Sequence, residues 1–461
     1  MRAFAFLVTD RQHGFSAACV CTLRESEERL NHSLYLSDHH TRWQLDNGLQ
    51  VVCEPLPDLA TVSVGIWMHT GSMMEHPEEE GLAHFMEHMA FKGTTSRSTL
   101  RIAEETDLLG GQLNACTTKD YTCYYNKVIS EDLEHTLDLI GDLVLHPALL
   151  PEEMTKERSV ICEEIAMDED DPESHIGELL WRAQYKGTCM EHPILGQPDQ
   201  INSYGPEDLR RFRAAHYTPD RCVIALCGQY DSKVLHEAVD RIFGAWEGTS
   251  SAAPVSPIAP MDAQCVWAER NLEQVHLSLG FPGFAYGDNN NIPMEMLSSI
   301  LGASASARLF QRIREELGLA YTVYSYNSPI ESTGTFCLYA AASARSAAKV
   351  LDEMESQMRK LAREGITEQE FSQNLHMLRI SFLMGLESPG SRMMSLGHAL
   401  SILSREYTPS TTLKRIESVT REEVVELARE LIRHTPSLCV VGKDAEALAA
   451  NWNTKAVHLH E

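Results

Sequence analysis

Two stretches of this chain, INSYGPEDL at residues 201–209 and IESVTREEV at residues 416–424, resemble one another at an offset of 215 without a gap. Each is followed by a helical stretch, a Thr-Pro pair and an apolar strand that ends in glycine. We expect Cys222 and Cys439, one in each strand, to occupy matching places. This recurrence of helix, turn and strand in one order predicts an internal duplication. The two strands read RCVIALCG at 221–228 and SLCVVG at 437–442.

Between the two copies of the repeat lies a segment that indicates a domain boundary. Residues 248–262, GTSSAAPVSPIAPMD, contain three prolines among small residues, a composition typical of an exposed linker. The linker separates a first module, residues 41–247, from a second module, residues 263–461. Each module has about 200 residues, a normal domain size. Residues 1–40 are predicted to be an N-terminal extension.

Each module mixes strand and helix patterns. Alternating apolar residues bounded by turn residues predict strands, and a repeat of three to four residues predicts helices. The mixture, with hairpin-like strand pairs, predicts an α+β fold of two homologous halves around antiparallel-rich sheets. The predicted strands lie within 49–56, 60–71, 116–128, 275–281 and 335–343, and the predicted helices within 131–147, 151–167 and 348–365.

The composition excludes several classes of protein. Of the 461 residues, 43% are hydrophobic and 23% charged, which is typical of globular domains rather than disordered chains. The formal net charge of −27 argues against nucleic acid or an anionic membrane as a partner. No apolar run has the ~20 residues of a membrane span. With no clear targeting signal and 12 scattered cysteines, we expect a cytoplasmic protein with reduced thiols.

One segment carries the pattern of a metal site. Residues 81–93 read GLAHFMEHMAFKG and contain His84, Glu87 and His88 in the order H-x-x-E-H. Two histidines four residues apart share one face of a helix and can bind one zinc ion, while the glutamate can act as a general base. The helix is apolar nearly all round, which predicts burial, and buried histidines need partners. The alternative, two surface histidines on an amphipathic helix, fits that burial less well.

A catalytic zinc site needs a third protein ligand. The acid-rich segment 151–174 has helical periodicity, which places Glu157 and Glu164 on one face together with apolar residues, while Glu163 points elsewhere. We therefore predict Glu164 as the third ligand of one zinc ion per chain, with Glu157 supporting the site from two turns earlier. The other acids of the segment are expected to be solvated.

The motif, followed after 75 residues by Glu164, resembles the pitrilysin/insulinase family of zinc metallopeptidases, the inverzincins, in their mitochondrial-processing-peptidase-like branch. The likeness runs from about residue 41 to the C-terminus and includes GSMMEHPEEEGLAHFMEHMAFKGT at 71–94 and ERSVICEEIAM at 157–167. It implies the zinc ligands His84, His88 and Glu164 and the base Glu87. It also implies two duplicated halves that close as a clamshell.

The resemblance implies three further site residues. The second module lacks the zinc motif, but RLFQRIREELGLAY at 308–321 is similar to the family segment that supplies an Arg and a Tyr across the cleft, here Arg314 and Tyr321. Such groups stabilise the tetrahedral intermediate of peptide hydrolysis. In QLNACTT, residues 112–118, the family likeness implies that an edge strand pairs with extended substrate and that Asn114 contacts its backbone.

These features predict a zinc endopeptidase that cleaves short or unfolded polypeptides enclosed between its halves, and we expect a homodimer. Two alternatives remain: a non-catalytic core or assembly subunit, and one partner of a heterodimeric processing peptidase. Non-catalytic family members lose the zinc ligands, whereas all of them are present here. Metal content and peptide cleavage by the isolated chain distinguish the three.

Overall fold

The structure, a computed structural model, describes residues 38–250, 258–260 and 263–458. The predicted extension up to residue 37 and most of the predicted linker lie outside the described residues. Within those ranges, no helix is both long enough and apolar enough to cross a membrane.

The first half is built on a six-stranded sheet whose strands lie in the order β1-β2-β6-β3-β5-β4. Strands β2 and β6 run parallel, and the other neighbours are antiparallel. Among the described residues, strand β4 pairs with β5 alone and therefore forms one edge of the sheet. The strands are β1 (Thr41–Gln44), β2 (Gln50–Pro55), β3 (Thr61–Met68), β4 (Asn114–Thr117), β5 (Thr122–Ile129) and β6 (Cys222–Gly228).

The second half repeats this arrangement with five strands in the order β7-β11-β8-β10-β9. Strands β7 and β11 are the parallel pair and correspond to β2 and β6, while β9 is the edge that corresponds to β4. The common topology confirms the predicted duplication and the antiparallel-rich α+β fold. The strands are β7 (Cys265–Glu269), β8 (Val275–Pro282), β9 (Ala320–Pro329), β10 (Gly334–Ala342) and β11 (Ser437–Gly442).

Helices cover both sheets, and the three predicted helices are present with shifted ends. The segment predicted as helical to residue 167 continues to Asp170, and Gly365 ends its helix with a positive φ of 78°. The first half contains α1 (Leu82–Ala90), α2 (Thr99–Leu108), α3 (Leu133–Leu145), α4 (Pro151–Asp170), α5 (Pro172–Tyr185), α6 (Pro198–Ser203), α7 (Pro206–His216) and α8 (Ser232–Phe243). The second contains α9 (Asn291–Leu301), a π-helix (Phe310–Glu316), α10 (Ala344–Glu364), α11 (Glu368–Gly385), α12 (Pro389–Leu403), α13 (Pro409–Ser418), α14 (Arg421–Leu431) and α15 (Ala445–His458).

Each sheet packs one face on helices of its own half, and the other face on a single helix from the other half. Helix α12 covers the first sheet around the fully buried Trp67, and α5 covers the second sheet. The approach of α12 is close, because a Cβ atom at Gly397 would lie 2.4 Å from the Trp67 ring. A buried ion pair between Arg392 of α12 and Glu54 of β2 joins the same surfaces. Because each half covers one sheet face of the other, apolar surface of both halves is buried where they meet.

The two strand cysteines stand at different distances from the glycine that ends each strand: Cys222 is six residues before Gly228, and Cys439 is three residues before Gly442. Cys222 faces the helices of its own half, whereas Cys439 faces the exchanged helix α5. The expectation that these two cysteines occupy matching places is therefore wrong. The glycines that end the strands do correspond: Gly228 and Gly442 have positive φ values of 137° and 142°. At Gly228 a Cβ atom would lie 2.3 Å from the carbonyl oxygen of Thr61, so only glycine fits there.

Candidate active site

Helix α1 begins at a glycine because the chain must turn sharply there. Gly81 has a φ of 85°, and a Cβ atom on it would lie 2.8 Å from the Cα of Gly196. The buried carboxylate of Glu75 accepts hydrogen bonds from the backbone N–H groups of Gly81 (2.9 Å) and Ala83 (2.7 Å). These contacts satisfy two of the free donors at the helix start and set the position of the next residues, which carry the H-x-x-E-H motif.

The two motif histidines lie on one face of α1, as predicted. Their ring centroids are 4.5 Å apart, and His84 is only 6% exposed. The Oε2 atom of Glu164, on α4, lies 3.7 Å from Nε2 of His84 and 3.4 Å from Nε2 of His88. Ligand atoms at tetrahedral angles around one zinc ion lie about 3.4 Å apart. The donor set of two imidazoles and a carboxylate therefore fits zinc in both chemistry and spacing.

Glu164 is brought to this cluster by the helical face that the sequence pattern indicated, and it is half-buried. Its neighbour Glu163 is exposed on another side of α4. No other group of three His, Cys, Asp or Glu side chains with this proximity occurs in the part of the chain that the structure describes.

Glu157 lies behind the cluster and is 3% exposed. Its Oε2 atom is 2.9 Å from Nδ1 of His88, and its Oε1 atom is 2.6 Å from Nζ of Lys92. A carboxylate that accepts the Nδ1 proton leaves Nε2 free to bind a metal. No role for Lys92 was predicted from the sequence, although it lies four residues after His88 and therefore on the same side of the chain.

Two of the three candidate ligands, His84 and Glu164, have charge states that suit a cation. Burial lowers the pKa of His84 to about 4, His88 acts in the same direction, and Glu164 opposes them. The hydrogen bond with His88 lowers the pKa of Glu164 despite burial. Burial also disfavours the His88 cation, but hydrogen bonds and charges of Glu164 and Glu157 raise its pKa. Because zinc binds neutral imidazole and ionised carboxylate, His84 and Glu164 already have the required state near neutral pH.

Glu87 lies next to the cluster and is held by strand β4. The hydroxyl of Thr117 donates a hydrogen bond of 2.5 Å to Oε2 of Glu87. Burial raises the pKa of Glu87, and this hydrogen bond opposes the rise. A carboxylate whose pKa is raised is a better proton acceptor, as a general base requires. The family resemblance predicted a substrate-pairing edge strand within residues 112–118 but no role for Thr117.

Asn114 lies at the start of the edge strand β4 and is exposed. Its side-chain oxygen accepts a hydrogen bond of 2.9 Å from the backbone N–H of Ala115. Among the described residues no strand pairs with the other edge of β4, which runs from Asn114 to Thr117.

Arg314 and Tyr321 contact one another in the second half. The guanidinium carbon of Arg314 lies 4.3 Å from the centre of the Tyr321 ring and 4.5 Å from that of Phe310. Tyr321 is 72% exposed. Within the described ranges, no hydrogen bond, ion pair or ring contact joins either residue to the histidine cluster. The structure therefore pairs the two residues but does not bring them to the candidate metal ligands.

A cavity of 690 Å³ opens over the cluster and is lined by residues of the first half. His84, Glu87 and Glu164 line it together with Thr117 of β4. Acidic side chains outnumber basic ones in its wall, where Arg182 and His175 stand among Asp168, Glu169, Asp171 and Glu178.

Comparison with known proteins identifies family matches for both halves. Residues 50–198 match the family described as Insulinase (Peptidase family M16), and residues 203–378 match the Peptidase M16 inactive domain. An uncharacterized zinc protease of Bacillus subtilis, YmxG, is 35% identical over 87% of this chain and 97% of its own length. A second uncharacterized zinc protease, from Streptomyces coelicolor, is 35% identical over 88% of this chain and 90% of its own length.

Two solved structures share the fold. A protease from Helicobacter pylori has a TM-score of 0.83 at 21% identity and covers 88% of this chain and 99% of its own. A peptidase M16 inactive domain from Pseudomonas fluorescens has a TM-score of 0.82 at 19% identity and covers 88% of this chain and 98% of its own. With its duplicated α+β halves and relatives named zinc proteases, the chain belongs to the insulinase family of metalloproteases, peptidase family M16.

Proposed function

We propose that this metalloprotease is a zinc-dependent endopeptidase that cleaves short or unfolded polypeptides between its two halves, with one zinc ion per chain. The observation that carries the proposal is the convergence of His84, His88 and Glu164 beside the carboxylate of Glu87. The homodimer and the cytoplasmic location stay predictions.

His84, His88 and Glu164 would hold the zinc ion. When bound, the ion polarises the substrate carbonyl and makes the attacking water more acidic. Glu87 takes a proton from that water and returns it to the leaving amine, so one carboxylate serves both transfers. Glu157 keeps the His88 ring in the orientation that exposes Nε2.

The substrate would bind as an extra strand along the free edge of β4, with Asn114 contacting its backbone. Main-chain pairing tolerates many side chains and requires an extended segment, which favours unfolded polypeptides. Arg314 and Tyr321 would approach the reacting carbonyl when the halves close, and their mutual contact keeps the two groups together.

The cavity wall favours basic side chains in the substrate. Asp168, Asp171 and Glu178 lie within the same cavity as the ligands and are accompanied by Arg182. A mainly acidic wall attracts cations, and salt weakens this attraction. We therefore expect kcat/KM to be higher for a basic peptide than for its matched acidic counterpart at low salt, and equal values would contradict this preference.

The central test uses the purified full-length chain and an unfolded peptide library, with and without a zinc chelator, followed by sequencing of the products. We expect internal cleavage that the chelator abolishes and added zinc restores, while a stable folded domain survives. The Glu87→Gln variant controls for contaminating proteases. A zinc-loaded chain without activity would favour the non-catalytic alternative, and activity only with a second, different subunit would favour the heterodimer.

A further inference from the structure

Strand β4 carries a hydroxyl group directed at the general base. The Oγ1 atom of Thr117 lies 2.5 Å from Oε2 of Glu87 and 3.3 Å from Oγ1 of Thr122. Thr122 is the cross-strand partner of Thr117 in the β4–β5 register and is fully buried. The hydroxyl of Thr122 donates to the backbone carbonyl of Thr70 at 2.9 Å.

The number of available protons determines the direction of these hydrogen bonds. Each threonine hydroxyl has one proton, and an ionised carboxylate can only accept. Because Thr122 gives its proton to the carbonyl of Thr70, it cannot also donate to Thr117. The proton of Thr117 is thus available for Glu87, and the shorter of its two contacts is the one to that carboxylate.

We propose that Thr117 is a positioning residue that holds the Glu87 carboxylate by one oxygen and leaves the other oxygen to exchange the proton in peptide hydrolysis. Within the described residues, Glu87 Oε1 has no hydrogen-bond donor, whereas Oε2 is occupied by Thr117. This inference rests on the proposed endopeptidase function.

The local structure suits Thr117 to this role. A β-branched side chain has few χ1 rotamers, so the position of its hydroxyl follows the backbone closely. That backbone is fixed by pairing with β5 and by a tight connection in which the N–H of Thr118 donates to the carbonyl of Tyr121 at 2.8 Å. Thr117 and Asn114 also share the edge strand on which we expect the substrate to pair. The base and the peptide would thus be aligned by one rigid element.

The test compares Thr117→Val, which keeps the shape but removes the hydroxyl, with Thr117→Ser, which keeps the hydroxyl. A misplaced catalytic group costs up to about 100-fold in rate, so we expect Thr117→Val to lower kcat by about 10- to 100-fold. KM and the zinc content should stay near the wild-type values. Thr117→Ser should keep most of the wild-type kcat, and melting curves of both variants should resemble that of the wild type.

Two further measurements distinguish positioning from a structural effect. In a Glu87→Gln background, Thr117→Val should cause little additional loss, because the group that Thr117 positions is already absent. A crystal structure of Thr117→Val should show the Glu87 side chain in altered or multiple rotamers above unchanged histidines. Wild-type kcat in Thr117→Val, an equal loss in Thr117→Ser, or additive losses in the double variant would overturn the inference. An inactive zinc-loaded wild type would instead refute the endopeptidase function.

Discussion

Replacing Glu157 by Gln should weaken zinc binding without any change in the three proposed ligands. The wild-type carboxylate is 3% exposed and uses one oxygen for His88 Nδ1 and the other for Lys92 Nζ. A glutamine has one acceptor oxygen and one N–H₂ donor. Whichever way its amide is turned, one of the two partners faces a donor instead of an acceptor.

The size of the effect follows from these contacts. If the amide oxygen keeps the hydrogen bond with His88, the N–H₂ group is placed against the ammonium of Lys92. In the wild type, Lys92 Nζ lies 2.6 Å from the Glu157 oxygen at that position. If the amide turns, His88 loses the acceptor that keeps its Nε2 free. Loss of such a supporting partner usually costs 10- to 100-fold in metal affinity, which corresponds to about 1.4–2.7 kcal/mol.

The assay is a competition titration of the zinc-free protein against a chromophoric chelator of known affinity. Glu163→Gln is the matched control, because it makes the same chemical change on the same helix at an exposed position. Thermal melting of the zinc-free proteins separates loss of zinc affinity from loss of fold. Unchanged zinc affinity in Glu157→Gln, or an equal decrease in Glu163→Gln, would refute the role of the Glu157 contacts.

Three other changes have definite expected outcomes. Glu87→Gln should retain zinc and fold but lose ~10²–10⁴-fold in kcat, since only the proton acceptor is removed, and near-normal cleavage would reject it as the base. Glu164→Gln should lower the zinc content measured by metal analysis, whereas Glu163→Gln should not; the opposite pattern would reassign the ligand. Gly397→Val should lower the free energy of unfolding by about 1–3 kcal/mol in denaturant titrations, because the new side chain overlaps Trp67, and an unchanged midpoint would show that α12 can shift.

Much of the candidate metal site could be predicted because its pattern is local. The spacing of His84 and His88 places both rings on one helical face, and the position of Glu164 follows from the periodicity of a second helix. The repeat at 201–209 and 416–424 likewise predicted two sheets of common topology. Residues that are neighbours on one helix or strand keep their relation whatever the rest of the chain does, so such patterns can be read without a tertiary structure.

Other features were decided only by contacts between distant parts of the chain. The sequence alone determined that His84, Glu87 and His88 share a helix. The contact between Thr117 and Glu87, in contrast, depends on the register of β4 against β5 and on how α1 packs beside these strands. Cys222 and Cys439 lie on opposite sheet faces because they stand six and three residues before their strand-ending glycines, and side chains alternate along a strand. The exchange of α5 and α12 also had no local signal, since an apolar sheet face shows that it must be covered but not which helix covers it.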